Sequence, residues 1–470
     1  MDSTFYYYSL FDLAWYLIPL FIFIYILKSS WFKKVVGEKQ LNRLKIPVCL
    51  ILFFSLTYLA FMDDELNPEI VELLEDHSKN ISKNNNGSVY HLGMWSSFDS
   101  SPYEVGLWRV TQYENAYSNA ELPTNTIEYE DYPKDKWIEE LFVESDKPKW
   151  LCDYDESDCL DLIYTNSEDA IYLGKEFDKH ITRYDGVLDY SYFGLSHEPS
   201  VFSPMMMFGP GIDVLKIKLI TYFHSFKLGK QEIVVNNLAR LLSHHKTVLD
   251  QTPYTVSKVI SVVELQLIYE AAAYLISKTS NQNLDIWKPY INALKQFNKN
   301  QITFEKPFLH EFASSYKSFE MAGLGDFRKD LPSVIGYLPK SYLFKPNKTA
   351  NLMFKALMVN RGKYEFSGDR IIVHEKPDVK SLMKFELSNP IGSLLAITAT
   401  PRYLNLDGQL HNLEILQRLT KHLYIKRLGS EEKEFISPYT GNKGKAKGKG
   451  KLYCIDAESL EDEPICLSTI

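Results

Sequence analysis

VVNNLARLLSHHKTVLDQTPYTVSKVISVVELQLIYEAAAYL, residues 234–275, is the stretch whose reading decides the fold class. Val234, Val235, Leu238, Leu241, Leu242 and Val248 recur at helical spacing. Val256, Val259, Ile260, Val263, Leu267, Ile268, Ala271, Ala272 and Leu275 do the same. Gly229 stops the chain before the first of these helices, Thr252-Pro253 separates them, and Ser280 to Asn283 ends the second. Consecutive amphipathic helices of about twenty residues joined by short polar turns predict an antiparallel bundle or a short solenoid. No motif repeats, so a mainly α bundle is expected over residues 206–345.

Upstream, two runs carry no charge: LAWYLIPLFIFIYIL from Leu13 to Leu27 and IPVCLILFFSLTYLAFM from Ile46 to Met62. Each lies at or just below the length a bilayer helix needs, about 17 to 25 residues. Both read as transmembrane helices, the first extended by Tyr6, Tyr7, Tyr8, Leu10 and Phe11. The loop between them holds Lys28, Lys33, Lys34, Lys39, Arg43 and Lys45 against Glu38 alone, while Asp63, Asp64 and Glu65 follow the second run. Basic loops stay in the cytoplasm, so both termini are expected on the outer side, the periplasm of a bacterium. The expected order is therefore a transmembrane hairpin over residues 1–65 with a cytoplasmic loop at 28–45, a stalk at 66–88, and an aromatic-rich irregular or helical part at 89–205. The bundle at 206–345 and a C-terminal helical part with a terminal β-hairpin at 346–470 complete it.

A chain of 470 residues with 45% hydrophobic content can bury more than one core beyond such a hairpin. Its net charge of -8 speaks against nucleic acid as a partner. The lipid bilayer and an envelope protein are the partners expected instead. Cys49 falls inside the second run, and the other four cysteines form two close pairs, Cys152 with Cys159 and Cys454 with Cys466. In an oxidising compartment these read as two local disulfides. A zinc site needs tighter spacing and neighbouring histidines, which neither pair has, so no metal and no cofactor is expected.

No catalytic motif is complete. His197-Glu198, His310-Glu311 and His374-Glu375 each lack the second histidine four residues on that a zinc-protease helix requires. Gly194-Leu195-Ser196-His197-Glu198 holds only the first half of a serine nucleophile turn, and Ser243/Lys246, Ser314/Lys317 and Ser381/Lys384 lack companion motifs. The acidic residues Asp153, Asp155, Glu156 and Asp158 read as a solvated loop, without the glycine and closing glutamate of a calcium loop. Lys443, Lys445, Lys447, Lys449 and Lys451 read as a flexible cationic strip, and Phe208-Gly209-Pro210-Gly211 as a turn before a helix.

Two candidates remain. Glu264 sits close to an apolar helix face, where desolvation raises a carboxyl pKa, with Arg240 as its expected partner. His244 and His245 lie on the adjacent helix and point about 100° apart, so only one can face Glu264; Glu264 and His244 are the candidate catalytic residues.

Five short stretches, Trp150-Leu151-Cys152 with Asp158-Cys159-Leu160, Asn237 to Leu242, Asn347-Lys348-Thr349-Ala350-Asn351, Asn389-Pro390-Ile391-Gly392 and Ser437-Pro438-Tyr439-Thr440-Gly441, carry a resemblance. The chain resembles uncharacterised exported proteins of Gram-negative bacteria with an N-terminal membrane anchor and a largely helical periplasmic region. That resemblance implies no activity. The expected role is an inner-membrane protein whose periplasmic domain binds or scaffolds envelope partners, the rival being a hydrolase or transferase acting on peptidoglycan, glycan or peptide. A closed cleft with convergent carboxylates or histidines around Glu264 would favour the enzyme, and a broad exposed apolar groove the scaffold.

Overall fold

The computed structural model describes residues 62–118, 141, 148, 159–168, 170–200, 202–206, 208–324, 344–358, 364–367, 370–374, 386, 389–399, 406–429, 434–438, 443–444, 447–449, 452–455 and 465–468. The two expected membrane spans and the basic loop, as well as Cys152 and the acidic loop after it, lie outside the described residues.

Helices dominate. In chain order they are α1 Pro68–Lys79, α2 Gly87–Gly93, α3 Pro102–Ser118, α4 Cys159–Thr165, α5 Ala170–Glu176 and α6 Asp178–Val187. The long ones follow, α7 Gly209–Lys227, α8 Gln231–Gln251 and α9 Thr255–Lys278, then α10 Lys288–Ala293, α11 Lys299–Ile302 and α12 Glu305–Leu324. Last come α13 Pro346–Met358, α14 Pro390–Ala399 and α15 Leu406–Arg427. Strands β1 Tyr364–Ser367 and β2 Arg370–Val373 form an antiparallel hairpin, as do the short β3 Phe435–Ile436 and β4 Lys443–Gly444. β5 Lys447–Lys449, β6 Leu452–Ile455 and β7 Ile465–Ser468 form a three-stranded antiparallel sheet.

The chain divides into two compact units assembled from separate stretches of sequence, not from consecutive ones. The larger contains Asp76–Glu311, Gly362–His374 and Leu404–Ile470. At its centre α9 packs on α8, α7 and α15. Trp95, Tyr113, Phe223, Tyr269, Tyr274, Trp287 and Tyr290 are all fully buried in it. Among the described residues α9 is also the one helix long and apolar enough to cross a membrane, yet 72% of its most apolar window is buried inside the protein. It is a core helix, apolar on nearly every face because neighbours cover nearly every face.

That all-round apolarity blurs the periodicity. In the first half of α9 the buried residues are Thr255, Ser257, Lys258, Ser261, Val262, Glu264 and Leu265, whereas Val256 is 50% exposed. The face read from sequence is therefore rotated there, and the polar residues that looked peripheral are inside. Each is provided for. Lys258 Nζ donates to the carbonyl oxygens of Leu249 at 3.0 Å, Thr303 at 2.6 Å and Asn300. The carbonyls of Leu249 and Asn300 lie in the last turns of α8 and α11, where unpaired backbone oxygens and the helix dipole favour a cation.

Residues 80–88, expected as part of a flexible stalk, are fixed in place. Ser82 N donates to Leu195 O at 2.9 Å, and Asn86 Nδ2 donates to Ser82 O and Gly194 O while its Oδ1 caps α2 by accepting from Ser88 N. Lys83 pairs with Glu114. Asparagine and serine look like linker residues by composition, but here their side chains satisfy backbone groups of neighbouring segments.

The smaller unit contains Met1–Glu75, Phe312–Arg361 and Glu375–Tyr403. Asp63 caps α13, its carboxylate accepting from Asn347 N at 2.9 Å and Lys348 N at 3.0 Å. Asn351 accepts from Asn67 N and donates to Glu65 O, both at 2.9 Å. Two of the short stretches noted in the sequence meet here: Asn389 donates to Thr349 Oγ1 at 2.9 Å and accepts from Lys345 N at 2.9 Å. Gly392 lies so close that a Cβ would overlap Thr349 and Asn389.

The lysine-glycine strip is not simply a loop, since Lys443 lies in β4 and Lys447 to Lys449 form β5, paired with β6. Cys454 and Cys466 stand opposite each other on β6 and β7 and are joined by a disulfide. Cys159 is also disulfide-bonded, and Cys152, its expected partner, is outside the described residues.

Candidate functional site

In the larger unit, helices α2, α6, α7, α8 and α9 converge on a partly enclosed recess. Its floor is Glu264 from α9, His244 and His245 from α8 and Tyr184 from α6; its walls are His91, Met94, Trp95, Phe208, Gly211 and residues beside them. Trp95 and Met94 are held by Arg183, the residue before Tyr184. The Arg183 guanidinium donates to Met94 O at 3.1 Å, to Ser100 O at 3.0 Å and to the carbonyls of Ser96 and Ser97, and lies 4.9 Å from the Phe98 ring. One buried cation thus fixes the loop that makes one wall.

The three floor groups form a closed triangle. Tyr184 donates its hydroxyl proton to Glu264 Oε1 at 3.1 Å and lies 3.0 Å from His245 Nε2. His245 Nδ1 stands 3.1 Å from Glu264 Oε2, an ion-pair distance without the alignment of a regular hydrogen bond. A phenol has one proton to give. If it goes to the carboxylate, His245 Nε2 must donate to the phenol oxygen.

Glu264 and His244 are each 6% exposed, and His245 is 3% exposed. Burial pushes the Tyr184 hydroxyl well above its ordinary range, reinforced by the charge of Glu264, so it stays a proton donor. Burial holds His244 well below the usual histidine value, helped by His245, and lowers His91 to about 4, with Glu264 opposing. Both imidazoles are neutral near pH 7. His244 packs edge-on against His245 and Phe193, with ring centroids 5.0 and 5.1 Å away, and its Nδ1 has no hydrogen-bond partner.

Of the sequence candidates, Glu264 and His244 both line the recess, but it is His245 that touches Glu264. Arg240, the expected partner of Glu264, instead pairs with Asp189 at 2.5 Å on the surface. Phe208 and Gly211, read as a simple turn, form part of the wall. Tyr184, His91 and Trp95 were not foreseen; they come from stretches without periodicity, and nothing in their local sequence marks them.

Ser196 and His197 do form a pair, Oγ to Nδ1 at 2.8 Å, but both are fully buried and Tyr254 covers them, its hydroxyl 3.2 Å from Ser196. They brace the core and cannot meet a substrate. Ser243 and Lys246 do not pair: Ser243 bonds Ala239 O, while Lys246 donates to Gln417 at 2.7 Å and to Lys295 O. Among the described residues no group of three or more His, Cys, Asp or Glu is arranged to hold a metal ion. The chain matches no family model, and no curated protein or solved structure is similar to it.

Proposed function

We propose that the protein is an enzyme of the hydrolase or transferase class, attached to the inner membrane with its helical domain in the periplasm, and that Glu264, His245 and Tyr184 are its proton-handling centre. One observation carries the reading: a carboxylate, an imidazole and a phenol close on each other at 3.0 to 3.1 Å at the floor of a recess connected to solvent. The Glu264 carboxylate accepts a proton from a water or hydroxyl nucleophile, and Tyr184 returns one to a leaving group. The charge asymmetry around the two uncharged runs supports the location, as do the disulfide of Cys454 with Cys466 and the oxidised state of Cys159.

The test is turnover by the purified full-length chain on peptidoglycan fragments and peptides, followed by mass spectrometry. Glu264→Gln keeps the shape and removes the base, and is expected to lower turnover about 100-fold or more. Undiminished turnover in that variant, or none in the parent, overturns the proposal.

A binding or scaffolding role is the second reading. It is favoured by the small free space in the recess, about one water molecule in size. An envelope partner that co-purifies in detergent equally with the parent and Glu264→Gln, without turnover, would decide for it.

A further inference from the structure

The chemistry of the recess is one-sided. Among the described residues, no lysine or arginine lines it, and its one ionisable acid is Glu264. The cations on the surrounding helices are engaged elsewhere, Arg183 with the carbonyls of Met94, Ser96, Ser97 and Ser100, Lys218 with Asp185 and Arg240 with Asp189. Beside the hydroxyls of Tyr184, Ser257 and Ser261, its lining holds acceptors and π systems: the Glu264 carboxylate, His244, whose buried Nδ1 has no hydrogen-bond partner, the thioether of Met94 and the aromatic rings of Trp95, Phe208 and Tyr184. Such a lining disfavours anions, because a carboxylate or phosphate would meet Glu264 across a poorly solvated gap with no lysine or arginine beside it. It attracts a cation, through Coulomb attraction and the negative faces of aromatic rings.

Size narrows the class. The free space in the recess matches one water-sized group, which is also the size of a primary ammonium and smaller than a quaternary one. A Cβ on Gly211 would stand 3.8 Å from Trp95 and 3.9 Å from Glu264, so glycine keeps that side of the recess open without being forced by sterics. Resting on the reading of this recess as a substrate site, we propose that it recognises the primary ammonium group of an amine-bearing substrate, which donates to Glu264 and to His244 Nδ1 beneath the rings of Trp95 and Phe208.

Thermal unfolding of the full-length chain in detergent, with methylammonium chloride titrated against sodium chloride at equal ionic strength, tests it. At ten times its dissociation constant methylammonium is expected to raise Tm by about 3 °C, whereas tetramethylammonium and sodium acetate do not. Glu264→Gln should abolish the rise. His244→Phe, which keeps the ring and removes the acceptor, should weaken methylammonium several-fold, and it decides the matter if Glu264→Gln does not fold. A rise with acetate, a rise of equal size in both variants, or no rise up to 100-fold excess over Glu264 sites at about 0.1 M probe overturns the inference. Turnover without a methylammonium response defeats the ammonium assignment alone. A response without turnover defeats the catalytic reading alone.

Discussion

Replacing Lys258 by methionine gives the most direct measure of how this core is held. Lys258 is 1% exposed, and its ammonium gathers the carbonyls of Leu249, Asn300 and Thr303 while standing 5.5 Å from the Phe304 ring. Three N–H donors meet three carbonyl acceptors, which is the full capacity of an ammonium. Hydrogen bonds from a charged donor contribute roughly 1.5 to 3 kcal/mol each. Removing the ammonium also removes several kcal/mol of desolvation cost, so the gross loss is reduced. What remains is three carbonyls at helix ends left without this donor, and a net destabilisation of about 3 to 5 kcal/mol is expected for Lys258→Met. At about 2 °C per kcal/mol for a large domain, Tm should fall by about 6 to 10 °C. Methionine fills similar volume, so a cavity does not confuse the result. Urea unfolding followed by the fluorescence of buried Trp95 and Trp287 measures the change. If Lys258→Met unfolds within 0.5 kcal/mol of the parent (roughly the scatter of neutral surface changes), the reasoning is refuted.

Buried neutral histidines also set an acid limit. Burial lowers His91 to about 4 and His197 to about 3, the latter also pressed by Arg109 and Lys83. Their folded pKa values lie below the unfolded one, about 6.5, so below that pH the unfolded chain binds more protons and stability falls as pH falls. These two should cost about 3 kcal/mol between pH 7.5 and 5.5, read from urea midpoints, and His197→Phe should remove about half of that slope. In the smaller unit, Gly392→Ala forces a methyl group against Thr349 and Asn389 and should destabilise by about 1 to 3 kcal/mol; a neutral result by calorimetry would show that α13 and α14 separate easily.

Residues 234–275 predicted α8 and α9 because every fourth or third apolar residue must share a face, and this rule acts within a single helix. The facing cysteines Cys454 and Cys466 were legible for a similar reason: short spacing suffices. The β1–β2 hairpin was not read, and within residues 89–205 the bounds of the individual helices were not. The turn between α8 and α9 was legible, but the rotation of α9 that turns Lys258 inward was not, because a helix apolar on all sides has no preferred face until its neighbours are in place. Glu264 could be singled out from its apolar surroundings, yet its partners could not. Tyr184 and His245 are brought to it from 80 and 19 residues away, at distances of 3.1 Å each. Local sequence sets which segments coil and where they stop; only the packing of five helices decided which polar side chains would be buried together, and that juxtaposition is where the chemistry resides.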